Sequence, residues 1–171
     1  MDRVIVYQSE MEILSACVME RSDIETGGEL FGFWTSKGDP VVLYAIGPGP
    51  KANHQVAFFQ QDVAYLTEIG RELVERYGLQ HIGEWHSHHR LGLPYPSGHD
   101  AATVASTLRE RNMPRFLLCI ASWDADEKLQ FNAFGFEQAA ANAQTYLDWD
   151  VKSGVSPFRM RRDQDVQCQA I

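Results

Sequence analysis

Residues Phe116 to Ser122 form an almost unbroken apolar run, Phe-Leu-Leu-Cys-Ile-Ala-Ser. A strand of that composition has no face to give to water, so the rest of the chain must cover it from both sides. The flanking sequence alternates between two hydrophobic periods. Short β-rich runs at 3–7, 30–34, 41–46, 56–59, 79–85 and 129–136 interleave with helical spacing over 9–21, 62–77 and 97–111. Ser9 with Glu12 predicts a capping box for the first helix, Gly78 marks the end of the second, and Ser97 stands at the N-cap of the third. Beyond Glu137 the pattern weakens: 139–144 favours helix and 146–151 alternates like a strand. Hairpins at 30–46 and 116–136 speak against a purely parallel sheet, and the expected architecture is a mixed sheet covered by helices, α/β or α+β.

With 171 residues, 44% of them hydrophobic, one continuous core is affordable, and no linker divides the chain. A single domain over 1–158 is expected, followed by a charged tail, 159–171, that frays. The net charge of −8 disfavours a partner read through phosphates, so nucleic acid is not expected. No apolar run approaches the roughly 20 residues of a membrane span and the N-terminus lacks a signal-peptide pattern, which predicts a cytoplasmic protein without a membrane partner. Cys17 and Cys119 sit in apolar surroundings and read as buried thiols.

Chemistry concentrates at residues 86–100, His-Ser-His-His-Arg-Leu-Gly-Leu-Pro-Tyr-Pro-Ser-Gly-His-Asp, which follow the strand Gly83-Glu84-Trp85. His86 and His88 are two apart on a strand end and face the same way, presenting two imidazoles together. Asp100, in the first turn of the next helix, can fold back to add an oxygen. Two nitrogens and one oxygen leave zinc an open position, the arrangement of a catalytic site. Hydrolysis also needs a general base, for which Glu25 and Glu29 beside the Gly27-Gly28 pair are candidates. Ser97 at a helix N-terminus can donate to a developing oxyanion.

The string His86-x-His88, Ser97 and Asp100, preceded by Glu25-Thr26-Gly27-Gly28-x-Leu30-x-Gly32, resembles the His-x-His-Pro-x7-Ser-x2-Asp signature and upstream glutamate of the JAB/JAMM (MPN-plus) metalloproteases, over about residues 3–136. His89 stands where that signature has proline. The resemblance implies a cytidine-deaminase-like JAB/MPN fold, one Zn2+ per chain held by His86, His88 and Asp100, Glu25 as the catalytic base and Ser97 as support for the tetrahedral intermediate. It further implies a prokaryotic deubiquitinase-like isopeptidase or peptidase that cuts after the C-terminal glycine of a ubiquitin-like protein, free or conjugated. Activating and conjugating-enzyme-like proteins, as in phage-defence operons, would be its companions. Removal of cysteine or a short extension from a sulfur-carrier protein, and a non-catalytic partner-binding module, are the alternatives. A glycine-rich tail is gripped best as an added strand; Arg90 to Tyr95 and the strand near Val56–Phe59 would border that groove, with His54, Phe58 and Arg90 as substrate-binding candidates.

Overall fold

The structure, a computed structural model, describes residues 1–56, 58–88, 93–140, 143–160 and 162. The apolar run lies in strand β7 (Arg115–Trp123), every residue of which after Arg115 is buried. Its two faces serve different cores. Leu117, Cys119, Ala121 and Trp123 join Val4, Val6, Leu30, Val42, Ile82 and Trp85, with Leu14 and Val18 of helix α1 (Gln8–Glu20) packed among them. Phe116, Leu118 and Ile120 face the other way, toward Val104 and Leu108 of α3 (Gly98–Glu110). A third cluster lies under α2 (Val63–Tyr77), where Leu66, Leu73 and Tyr77 meet Phe31, Leu43 and Ile46.

The remaining strands are β1 (Arg3–Tyr7), β2 (Gly27–Trp34), β3 (Pro40–Ala45), β4 (Asn53–Gln55), β5 (Phe58–Gln60), β6 (Gln80–Ser87), β8 (Leu129–Glu137) and β9 (Gln144–Lys152). Seven of the strands form one closed barrel in the order β1-β3-β2-β6-β7-β8-β9, while β4 and β5 make a separate two-stranded sheet. This corrects the expectation of a helix-covered sheet of the cytidine-deaminase-like JAB/MPN type. An open sheet ends in two edges, and here the edges pair with each other: β9 runs parallel to β1 from Arg3↔Asp148 to Tyr7↔Lys152. Closure removes the unpaired backbone groups that covering helices or charges would otherwise protect. Helices α1, α2 and α3 pack on the barrel, but strand pairing completes it. Both expected hairpins are present as antiparallel pairs, β2·β3 and β7·β8.

Local details follow from the same chemistry. Asp62 caps α2 by accepting from the Tyr65 amide, and Gly78 ends it at φ 68°. The capping box expected of Ser9 and Glu12 does not form. Helix α1 starts at Gln8 with Tyr7 as its N-cap, two residues earlier, the Ser9 hydroxyl accepts from the Ser156 amide at 3.0 Å, and Glu12 accepts from the Gln8 side chain at 2.8 Å. The Arg159 guanidinium donates two hydrogen bonds, at 2.9 and 2.8 Å, to the buried Glu10 carboxylate and lies 3.9 Å over the Tyr44 ring, and Arg162 pairs with Glu72. Cys119 is buried, which pushes its thiol up, whereas Cys17 is only partly covered. Among the described residues no helix is long and apolar enough to cross a membrane.

Candidate metal centre

Strand β6 sets the site. It pairs antiparallel with β2, opposing Gly27 to His86, and parallel with β7, opposing His86 to Ile120. The hydrogen bond from the His88 amide to the Ala121 carbonyl, 2.9 Å, carries that ladder one residue past the strand. Both histidines are therefore on rigid backbone. Their Nε2 atoms lie 3.0 Å apart, and the Asp100 carboxylate places Oδ1 3.5 Å from His86 Nε2 and Oδ2 3.4 Å from His88 Nε2. Ligands at about 2.0–2.1 Å from a tetrahedral ion are separated by about 3.3 Å, and the three separations, the two to Asp100 ending on different oxygens, are of that size. The three residues form a group able to hold a metal ion.

Two of the three candidate ligands, His88 and Asp100, are oriented by a second contact. The Nδ1–H of His88 donates to the Leu93 carbonyl at 2.9 Å, which leaves the Nε2 lone pair for a cation. Asp100 is held by the capping box of α3: the Ser97 amide donates to Asp100 Oδ2 at 2.6 Å, and the Asp100 amide donates to Ser97 Oγ at 3.2 Å. Burial alone would raise the Asp100 carboxyl, but hydrogen bonds from His86 and His88, the charge of His86 and a Ser97 side-chain hydrogen bond hold it far below the usual carboxylate range. Burial works against charge on His88 as well, yet Asp100, the Leu93 carbonyl and the charges of Asp100 and Glu25 raise its pKa. The pocket thus favours positive charge at its centre, supplied by protons or by a divalent cation.

Glu25 precedes β2 and is close enough for its charge to act on His88. Ser87 ties the next residue to the ligand strand: the Thr26 amide donates to Ser87 Oγ at 3.0 Å and the Ser87 amide donates to the Thr26 carbonyl at 2.8 Å. The structure separates the two candidate bases. Glu29 is spent on His81, whose ring also packs at 5.4 Å from Phe31. Gly28 and Gly32 make room for neighbouring backbone: a Cβ there would lie 1.9 Å from the Ile46 carbonyl oxygen or 1.8 Å from that of Val41.

Of the substrate-binding candidates, His54 lies in β4 and Phe58 in β5 opposite Gln55. The Phe58 side chain and all of His89 and Arg90 fall outside the described residues. Sequence reading missed three groups: Ser87, the Leu93 carbonyl and Glu84. Glu84 carried a signal, since it precedes His86 by two and shares its face; burial and the neighbouring Glu29 raise its pKa. Ser87 and Leu93 act through neighbour-strand and backbone contacts, which residue type does not announce.

No family model matches this chain, and no curated protein matches it significantly. Among solved structures the chain is similar to the solution structure of protein DSY2949 from Desulfitobacterium hafniense, at 18% identity over 89% of this chain and 94% of that one, with a TM-score of 0.65. At that identity the likeness is one of fold.

Proposed function

We propose that the chain is a zinc-dependent peptidase or isopeptidase that cleaves after the C-terminal glycine of a ubiquitin-like protein. The observation that carries this reading is the His86–His88–Asp100 triangle with Glu25 beside it, on one end of β6 and β2. A zinc ion there would supply Lewis acidity, polarising the scissile carbonyl and lowering the pKa of the attacking water. The Glu25 carboxylate takes the proton of that water and passes it to the leaving amine, for which its backbone is held in place through Thr26 and Ser87. Ser97 Oγ accepts from the Asp100 amide and its O–H also bonds the Asp100 carboxylate; at the N-terminus of α3 that O–H turns to donate toward developing negative charge. The two-stranded β4–β5 sheet lies against the residue that carries the base and offers an edge on which an extended tail adds as a strand. The residue pattern of the JAB/JAMM signature supports the same chemistry; the reading rests on the site residues and not on the fold.

The test is a panel of ubiquitin-like proteins with C-terminal extensions, incubated with zinc-loaded chain and followed by intact mass. Scission at the terminal glycine by wild type, abolished by chelator and by Glu25→Ala, is expected. Intact substrates throughout the panel, with zinc bound, would overturn the reading and favour a partner-binding module.

A further inference from the structure

The β4–β5 hairpin stands outside the barrel, yet it grips a single residue of the site on both sides. The Glu25 amide donates to the Gln55 carbonyl at 3.1 Å, and the Glu25 carbonyl accepts from His54 Nδ1 at 2.9 Å. The first bond is made by backbone alone and survives any substitution in β4. The second depends on one side chain, and since a carbonyl can only accept, it requires the Nδ1–H tautomer of His54. The imidazole is braced from behind by Phe59, ring centroids 5.2 Å apart, and the Phe59 ring in turn sits where a Cβ on Gly27 would meet it at 2.8 Å. Immediately downstream, Thr26 is clamped to Ser87 between the two metal-binding histidines. Glu25 therefore lies between two clamps, one on β6 and one on the hairpin.

We infer that His54 is a positioning residue for Glu25: by holding the Glu25 carbonyl it sets the backbone torsions that aim the carboxylate, and it ties that aim to the seating of the β4–β5 hairpin. The inference deepens the peptidase reading and depends on it for its kinetic consequence, while the link between His54 and Glu25 does not. A base displaced by about 1 Å loses on the order of a hundredfold in rate. The loss belongs to kcat, because His54 reaches the reaction through Glu25.

The experiment compares wild type, His54→Ala and His54→Asn, all zinc-loaded. Asn can present an N–H near the position of Nδ1. Three quantities are read: zinc per chain, amide hydrogen exchange with the 13C shift of the Glu25 carboxylate, and kcat and KM on a ubiquitin-like fusion that wild type cleaves. Expected for His54→Ala are unchanged zinc, faster exchange confined to Glu25 and its neighbours, a moved carboxylate signal, and kcat lower by about tenfold to a hundredfold at constant KM, with His54→Asn recovering most of it. A raised KM at constant kcat would make His54 a substrate contact and overturn the inference, as would an Asn variant no better than Ala. If wild type cleaves nothing, the peptidase reading fails by itself. The exchange and carboxylate signals then decide alone: unchanged in His54→Ala they overturn the positioning role, altered they uphold the link.

Discussion

Ser97 caps α3 and, in the proposed mechanism, also donates to a developing oxyanion; Ser97→Ala tells the two apart. The substitution deletes the Oγ that accepts from the Asp100 amide at 3.2 Å, but it keeps the Ser97 amide that donates to Asp100 Oδ2 at 2.6 Å. Loss of an N-cap hydroxyl costs about 1 kcal/mol. In a domain of this size that is about 2–4 °C of melting temperature. The amide bond that orients the Asp100 carboxylate survives although the hydroxyl's contact with it is lost, so zinc affinity should stay within about threefold, short of the tenfold to hundredfold loss typical when an outer-shell partner is removed outright. Turnover behaves differently. Removing a donor to a developing oxyanion costs about 10²–10³ in kcat. A cap worth about 1 kcal/mol cannot produce that loss in a chain that remains folded. Thermal melts, competitive zinc titration and single-turnover cleavage measure the three quantities on one preparation. A fall in turnover of less than about fivefold would refute the catalytic role and leave Ser97 as a cap.

Glu25→Gln should retain zinc and melting temperature while turnover falls by about 10²–10⁴, read by intact-mass kinetics. Arg159→Ala leaves the fully buried Glu10 carboxylate without its counter-charge. Such a break costs about 3–5 kcal/mol, and urea unfolding that shows a loss under about 1 kcal/mol contradicts the assignment of this pair as a clasp between α1 and the C-terminal segment. Gly28→Ala drives a Cβ to 1.9 Å from the Ile46 carbonyl oxygen, which also accepts from the Trp85 indole at 3.0 Å. Overpacking of this kind costs about 1–3 kcal/mol or more, and a melting temperature equal to wild type would show that β2 and β3 can part at no cost.

Much of the local structure was legible because it rests on near neighbours in sequence. Asp62, Gly78 and Ser97 act within a turn of their own helices, and the apolar run of β7 states its double burial directly. The cluster that could hold a metal ion was legible for a related reason: His86 and His88 obey the strand period, and Asp100 lies within the first turn of a helix whose cap also orients it. Barrel closure was not legible. It joins Arg3–Tyr7 to residues 148–152 across most of the chain, and β9 buries only Leu147 fully, so its sequence resembles an edge strand. The Ser9 cap failed for the same kind of reason, since the hydroxyl is taken by Ser156, 147 residues away. His54 holds Glu25 by a contact 29 residues distant in sequence and Ser87 holds the adjacent Thr26 by one 61 residues distant, which spacing rules do not reach.

Native mass spectrometry of the zinc-titrated chain beside His86→Ala and Asp100→Ala tests the central claim most directly. A single zinc ion per wild-type chain, lost from both variants while they stay folded, is the predicted result. A wild-type chain that takes no zinc, or variants that bind it as well as wild type does, would contradict the account.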